Sequence, residues 1–417
     1  MNKTLKNLQY YKFSAYGFLK NLRFFDAFLL LFLIEKGMSY SQIGIMYALR
    51  EIVINVFEIP SGIIADTWGR KRALAGSFLF YIVSFVVYYF SSSFLLFLLA
   101  FAFYGVADAF RTGTHKGMIM DYLKINGWAD YKTNYYGHTR SWSQRGSAVS
   151  SLIAGLIVFF AGHFQTVFLY SVIPYLLNLL LLLSYPKALN YSLQPGEEKQ
   201  SWQIKATLKS FFQMVRKPKV LTLISSSAVH SAFQSSVKDY IQPVMVAAIA
   251  TLPFLINMDS KSRNGLFIGI IYFFIYLLTS SSSRMAGRVE KQNLNMAANL
   301  TLLIGLCSGI ICGLLFGWGL WWWSLGAFTL IYLIENLRKP ILTGLVADEV
   351  PNNILASVLS AQSQLKTVFA VTIALMIGFL SDLLSVGMAL SMVSAFLGAF
   401  IMLMLLFSKK RQKLQQL

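Results

Sequence analysis

Charge is scarce in this chain, and acidic residues are the scarcer of the two signs. Charged residues make up 13% of its 417 positions, about half of the roughly 25% that soluble globular domains carry. Hydrophobic residues make up 56%. This composition excludes a disordered protein, a collagen-like fibre, a coiled coil and an ordinary water-soluble enzyme.

Cysteine is also rare, and the sequence patterns of several catalytic classes are missing. The two cysteines, Cys307 and Cys312, lie in one apolar segment and form neither a disulfide framework nor a zinc pattern. The 4 histidines are scattered without metal-ligand spacing. The chain has no P-loop, no G-x-S-x-G and no H-E-x-x-H motif. We therefore expect neither an ATP-driven pump nor an enzyme, and no metal or other cofactor.

Long apolar runs fill most of the chain. A bilayer-spanning helix needs about 20 apolar residues, and twelve such runs follow one another here. They lie at 18–34, 41–64, 73–90, 94–120, 141–161 and 166–183, and then at 220–250, 265–282, 296–316, 320–345, 357–380 and 386–407. The predicted fold class is an all-α polytopic membrane protein, with 12 transmembrane helices in two six-helix bundles.

A polar stretch between the sixth and seventh runs divides the chain. We predict an N-terminal bundle at 1–184, a cytoplasmic linker at 185–219, and a C-terminal bundle with a basic tail at 220–417. Apolar residues recur in the linker at helical spacing between basic ones. This pattern predicts an amphipathic helix on the inner membrane face, or alternatively a docking site for a partner. Its apolar residues are Trp202, Ile204, Leu208, Phe211, Phe212 and Val215.

The net charge of +19 has an ordinary cause in a membrane protein. In a soluble protein it would indicate nucleic acid binding, but cytoplasmic loops of polytopic proteins carry an excess of Lys and Arg. Every second loop, the linker and the tail hold most of the basic residues, whereas the alternate loops hold only Lys36, Lys261 and Arg263. We expect both termini in the cytoplasm and no nucleic acid partner.

The loop between the second and third runs carries a distinctive motif. Residues 58–72 are EIPSGIIADTWGRKR. This stretch resembles the loop signature of the major facilitator superfamily, G-x-x-x-D-x-x-G-R-[KR]-[KR], with Gly62, Asp66, Gly69 and Arg70 at its fixed positions. Gly62 would let another helix approach its backbone closely, and Gly69 would permit a tight turn.

The resemblance implies a transporter fold with a conformational latch. In the family, the motif's Asp contacts the start of the eleventh helix, and its Arg pairs with an acid at the cytoplasmic end of the fourth. Asp66 and Arg70 match these two positions, and Asp121, which ends the fourth run, matches the acid. The related loop of the second half, at 283–291, is basic but lacks the aspartate.

Ionisable side chains inside the runs are functional candidates, because burying charge in a bilayer is costly. The resemblance implies that the first, fourth, seventh and tenth helices line a central cavity, and most of these residues fall there. The candidate cavity and substrate-binding residues are Arg23, Asp26, Asp108, Arg111, His115, Arg145, His230, Lys238, Glu335, Arg338 and Lys366.

Spacing along the helices sharpens this set. Three of the cavity helices carry an acid and an arginine one turn apart, which allows them to pair. Such a pair would either only neutralise its own charges so that both side chains can be buried, or have a function in the cavity. Both interpretations stay open. Proton coupling needs an acid whose proton affinity changes with its surroundings. The candidates are Asp108, Asp26 and Glu335, with Asp108 first because Arg111 and His115 share its stripe.

The deeper cations outnumber the acids, which favours an anionic substrate. We therefore predict a secondary active transporter that moves a small organic molecule, anionic or zwitterionic by preference. It would work by alternating access, coupled to protons, in the bacterial inner membrane. The alternative is a proton-antiport exporter of lipophilic drugs or metabolites, and a non-transporting receptor or channel is a remote one. Its partners would be the substrate, protons and the lipid bilayer, and we expect a monomer.

Overall fold

Helices make up nearly all of the structure. The computed structural model describes residues 5–190, 218–253, 259–285, 294–350 and 352–416, and none of these lies in a β-strand. The linker residues 191–217, with the predicted amphipathic helix, and most of the loop at 283–291 lie outside this description. Eight of the described helices are long and apolar enough to cross a membrane by themselves.

The helices follow one another with short connections. The first half of the chain contains α1 (Leu8–Lys20), α2 (Leu29–Glu35), α3 (Tyr40–Trp68), α4 (Arg70–Phe90), α5 (Phe94–Arg111), α6 (Thr114–Ile125), α7 (Lys132–Ala161) and α8 (Thr166–Leu183). The second half contains α9 (Pro218–Val237), α10 (Ile241–Ala250), α11 (Ser260–Met285), α12 (Leu294–Gly317), α13 (Trp321–Glu349), α14 (Asn352–Leu383) and α15 (Val386–Gln416).

Each of the twelve predicted apolar runs falls on one of these helices or on two in succession, as the fold class requires. The first span begins ten residues earlier than predicted, at Leu8. Its N-terminal turns carry too many polar residues to be recognised by hydropathy. They are helical because the side chain of Asn7 caps the helix, accepting a hydrogen bond from the amide of Tyr10 at 3.0 Å.

Three spans are broken where charged residues lie. In the first, a 3₁₀ turn at Phe24–Ala27 separates α1 from α2. In the fourth, the chain turns after Arg111, and Gly113 takes a φ of 84° that favours glycine. In the seventh, a 3₁₀ turn at Lys238–Tyr240 separates α9 from α10. Broken helices expose backbone groups inside the membrane, which is tolerated only where protein or water satisfies them.

The chain divides into two compact units. Unit 1 contains Met1–Met38, Leu49–Pro195 and Leu252–Tyr276. Unit 2 contains Ser39–Ala48, Gly196–Thr251 and Leu277–Leu417. In unit 1, α4 packs on α5 and α8, while α1 packs on α7 and α8. In unit 2, α9 packs on α14, and α12 packs on α13 and α15. The predicted boundaries at 184 and 220 stay a prediction.

The contact between α1 and α7 is close enough to require glycine. A Cβ atom at Gly146 of α7 would lie 2.5 Å from the carbonyl oxygen of Phe18 and 3.1 Å from its Cα. No rotamer change can relieve a clash with backbone. Gly146 therefore lets α7 lie against the last turn of α1, just before the break in the first span.

We expect Gly146→Ala to destabilise the protein by about 1–3 kcal/mol, the usual cost of overpacking. The matched control is Gly137→Ala on the same helix, where a Cβ would meet nothing within 4 Å. That change should be neutral or stabilising by about 0.5–1 kcal/mol, since alanine favours the helix. Denaturation in detergent micelles measures both variants, and equal stabilities would refute the close contact.

Candidate functional site

Asp108 and Arg111 form a hydrogen-bonded pair at the end of α5, as their spacing predicts. The Nη2 atom of Arg111 lies 2.5 Å from Oδ1 of Asp108, and its Nε lies 3.1 Å from the same oxygen. The hydroxyl of Tyr81, from α4, donates to that oxygen as well. It also accepts from Nε of Arg111 at 2.9 Å. One carboxylate oxygen thus receives donors from two helices.

Arg23 and Asp26 form the second predicted pair, in the break between α1 and α2. Nε of Arg23 lies 3.1 Å from Oδ2 of Asp26. Nη1 of Arg23 also donates to the hydroxyl of Tyr104 at 3.1 Å. A small pocket adjoins the pair, and Ser147, Ser150 and Ser151 of α7 contribute to its polar lining.

Tyrosine rings connect the two pairs. The ring centroid of Tyr81 lies 5.0 Å from that of Tyr104 and 5.1 Å from that of Tyr175. These three rings come from α4, α5 and α8, so they wall the charges on several sides. We call Arg23, Asp26, Asp108 and Arg111, with these three tyrosines, the unit 1 cluster.

Two further candidates of unit 1, His115 and Arg145, have partners of their own. The ring of His115 stacks on Tyr16, with centroids 3.5 Å apart, and its Nε2 lies 3.1 Å from the hydroxyl of Tyr185. The guanidinium carbon of Arg145 lies 4.7 Å from the ring centroid of Trp142, its neighbour on α7. A cation over an aromatic face is stabilised without a carboxylate.

In unit 2, Glu335 of α13 binds two groups from α9. Its Oε2 lies 2.8 Å from Nδ1 of His230, and its Oε1 accepts from the hydroxyl of Ser231 at 2.6 Å. His230 is fully buried and Glu335 is 8% exposed. The sequence spacing instead allows Glu335 to pair with Arg338, and the tertiary neighbour His230 replaces that local partner.

Arg338 is among the largest fully buried side chains. Its guanidinium donates to the carbonyl oxygen of Ala298, to Oγ1 of Thr301 at 3.0 Å and to the carbonyl oxygen of Ser226 at 3.4 Å. Arg338 thus joins α13 to α12 and α9. These bonds indicate a structural role, although its spacing and charge predict a place in the cavity.

The last two cavity candidates lie on other helices of unit 2. Nζ of Lys238 lies 3.8 Å from Oδ1 of Asp239. The backbone carbonyl of Lys238 accepts a hydrogen bond from the hydroxyl of Tyr332 at 2.7 Å. Lys366 is half-buried on α14. Their placement in a substrate site stays a prediction.

The motif loop forms the ion pair expected of its arginine. Nη1 of Arg70 lies 2.5 Å from Oδ2 of Asp121, and both side chains are nearly buried. A third participant, Asn190, carries no signal in the sequence. Its carbonyl accepts from the amide of Arg70 at 2.6 Å, and its Oδ1 accepts from the amide of Lys71 at 3.1 Å. Asn190 therefore caps α4 and ties the start of the linker to the motif.

The other latch residues follow the expectation only in part. Gly69 has a φ of 103°, as a tight turn requires. Asp66 lies 3.6 Å from Nε of Arg70, and its side chain is 60% exposed. Gly62 is exposed, and the close helix approach expected there stays a prediction.

The sequence carries no signal for the groups that join the candidate residues from distant parts of the chain. Tyr81, Tyr175, Ser231 and Asn190 contact their partners across 27 or more positions, and no local spacing marks such contacts. The abundance of aromatic residues, 15% of the chain, hid the tyrosines. Within the described residues, no group of three or more His, Cys, Asp and Glu could hold a metal ion.

The Arg70–Asp121 pair is expected to stabilise the protein. Asp121→Ala leaves a nearly buried guanidinium without its carboxylate, which should cost about 3–5 kcal/mol of stability. The control Asp66→Ala removes a mostly exposed acid and should cost less than about 1 kcal/mol. Unfolding in detergent measures both. If the two variants are equally stable, the pair does not hold α6 to the motif loop.

A second prediction separates a structural from a cavity role for Arg338. Arg338→Met should lower the free energy of unfolding by about 2–4 kcal/mol, because two carbonyls and a hydroxyl lose a buried charged donor. The control Lys366→Met also removes a cation from a span and should change it by less than about 1 kcal/mol. A stable Arg338→Met protein would contradict the structural role.

Comparisons with known proteins agree with this architecture. The family model described as Major Facilitator Superfamily matches residues 21–369. A relative from Bacillus subtilis (strain 168), described as the uncharacterized MFS-type transporter YxaM, is 23% identical over 393 residues. The match covers 93% of this chain and 92% of that protein.

Solved structures show the same fold at low identity. A crystal structure of the nucleoside transporter NupG has a TM-score of 0.70 at 14% identity, covering 96% of this chain and 99% of that one. A bacterial homolog of the human lysosomal transporter Spinster has a TM-score of 0.71 at 14% identity, covering 98% of each chain. The motif, the helical architecture and the family match agree: this chain belongs to the Major Facilitator Superfamily and is a multi-pass membrane transporter.

Proposed function

We propose that this transporter carries a small organic anion or zwitterion, coupled to protons, by alternating access. One observation carries the proposal: two guanidinium groups lie at helix breaks inside the membrane, each paired with a carboxylate and hydrogen-bonded to a tyrosine hydroxyl. Arginine can grip a carboxylate or phosphate through two parallel hydrogen bonds. A substrate anion would compete with Asp26 or Asp108 for these same donors.

The environment of Asp108 argues against it as the proton carrier. Its Oδ1 receives hydrogen bonds from Arg111 and Tyr81, and donors to the charged form favour that form. Protonation would break this network. Asp108 is better suited to hold Arg111 in place until substrate replaces it.

Glu335 is the proton carrier that we propose instead. Its carboxylate faces a serine hydroxyl and an imidazole, and the nearby guanidinium of Arg338 is occupied by carbonyl oxygens. An imidazole and a carboxylate in contact titrate as one coupled pair, so a proton can be taken up without separating ions. The pair would release it when the surroundings of α9 and α13 change.

We also propose that the Arg70–Asp121 contact acts as the latch of the motif loop, with Gly62, Asp66 and Gly69 as its further elements. The basic loops and tail favour a bacterial inner membrane location with both termini in the cytoplasm. The apolar exterior favours a monomer surrounded by lipid. None of these proposals depends on the direction of transport.

Proton flux in proteoliposomes tests the function directly. Purified protein is reconstituted with a pH-sensitive dye inside, a pH gradient is imposed, and organic anions, zwitterions and lipophilic cations are added in turn. We expect anion- or zwitterion-induced proton flux in the wild type. Arg111→Ala and Asp108→Asn should lose it, because substrate binding fails. Glu335→Gln should lose proton flux yet retain substrate exchange at equal pH, because only coupling fails.

Glu35→Gln is the matched control, since Glu35 pairs with Lys261 in an exposed position away from the cluster. It should keep wild-type flux. Glu335→Gln with intact proton flux would refute the proton carrier. Flux induced by lipophilic cations that survives Arg111→Ala would refute the anion assignment and place the protein among multidrug exporters.

A further inference from the structure

Lys20 is a further charged residue of the first span. It is the last residue of α1, half-buried, and directly precedes the break that holds Arg23 and Asp26. The span formed by α1 and α2 runs from Leu8 to Glu35, so Lys20 lies near its middle. Its ammonium group forms no hydrogen bond or ion pair with any residue in the described part of the chain.

The carbonyl groups at the end of α1 do not provide this partner. Asn21 Nδ2 donates to the carbonyl of Gly17 at 2.7 Å, and the Asn21 amide donates to that of Phe18 at 3.0 Å. The hydroxyl of Tyr175 donates to the carbonyl of Lys20 at 3.1 Å. The carbonyl groups of the last turn therefore already accept hydrogen bonds from other donors, and the ammonium group of Lys20 has no partner among the described residues.

The charges close to Lys20 include several of its own sign. Arg111, Arg23 and Arg140 lie close enough to repel it, and Asp108 lies close enough to attract it. Asp108 is already bonded to Arg111 and Tyr81. Arg140 is exposed, so the half-buried charges near the break are the cations Lys20, Arg23 and Arg111 and the acids Asp26 and Asp108, an excess of one positive charge. An uncompensated charge inside a bilayer calls for a counter-ion.

A second unpartnered group lies one helical turn away. Tyr16 is 3% exposed, and its hydroxyl has no hydrogen-bond partner among the described residues. Tyr16 lies four positions before Lys20, on the same face of α1. The charges of Arg111 and Asp108 act on its hydroxyl as well. Buried hydroxyls are seldom left unpaired.

We propose that Lys20 and Tyr16 bind the oxyanion group, a carboxylate or a phosphate, of a small organic molecule. The inference rests on the proposed transport function and names the anchor of its substrate. An oxyanion there would accept hydrogen bonds from the ammonium and the phenol and would neutralise the surplus charge. Arg111, whose charge acts on both groups, would join when the substrate displaces Asp108.

Binding to the purified full-length protein in detergent tests the site without transport. The probes are benzoate and inorganic phosphate, with neutral benzamide as the uncharged comparison, all at constant ionic strength. Affinity is read from the shift in melting temperature. We expect at least one anion to bind wild type and benzamide not to bind. Lys20→Gln should weaken that binding about tenfold or more, as expected for loss of a charged hydrogen bond. Tyr16→Phe should weaken it less, and Lys20→Arg should retain most of it.

The control Lys12→Gln lies on the same helix, where Lys12 is half-buried and bonded to the carbonyl of Ser184. It should bind anions as wild type does. Ligand-free Lys20→Gln provides a second readout. Removing an unpaired buried charge should leave the melting temperature unchanged or raise it, whereas a structural lysine would lower it.

Two results would overturn the inference. One is a wild type that binds neither anion more tightly than benzamide. The other is a Lys20→Gln variant that binds anions as wild type does. Proteoliposome flux separates this from the proposed function. If Lys20→Gln transports the anion as wild type does, the oxyanion site is refuted and the proposed transport function stands. If anion binding requires Lys20 but the wild type shows no flux, the oxyanion site stands and the proposed transport function is refuted.

Discussion

A charge at the centre of a bilayer costs about 3 kcal/mol or more unless another group neutralises it. The charged side chains inside the spans of unit 1 are placed accordingly. Arg23 and Arg111 each hold a carboxylate and a tyrosine hydroxyl. Both arginines lie at a helix break, where exposed backbone groups also need partners. The proposed binding site arises because this compensation is incomplete by one cation, Lys20.

The two units neutralise their charges by different means. Unit 1 uses ion pairs between side chains. Unit 2 sets Glu335 against an imidazole and a hydroxyl, and Arg338 donates to two backbone carbonyls and a threonine hydroxyl. The first arrangement suits competition with a charged substrate. The second suits the proton uptake and release proposed for Glu335, because the imidazole and the carboxylate can share a proton.

Local spacing predicted two of the three acid–arginine pairs. Arg23 with Asp26 and Asp108 with Arg111 lie three positions apart, and the structure forms both. Glu335 and Arg338 have the same spacing, yet His230, from 105 positions away, takes the carboxylate. The difference is tertiary: α9 places an imidazole against Glu335 of α13, whereas the hydroxyl of Tyr81 shares Asp108 with Arg111.

The sequence by itself determined the membrane class, the helical spans, the turn at Gly69 and the family motif. These depend on hydropathy, on helical periodicity and on the conformational freedom of glycine, all of which act over a few neighbouring residues. Only the tertiary structure decided which charges are satisfied. Arg338 donates to two carbonyls and the hydroxyl of Thr301, whereas Lys20 has no partner among the described residues. Pairing depends on which distant helices meet, and periodicity along one helix carries no information about its neighbours.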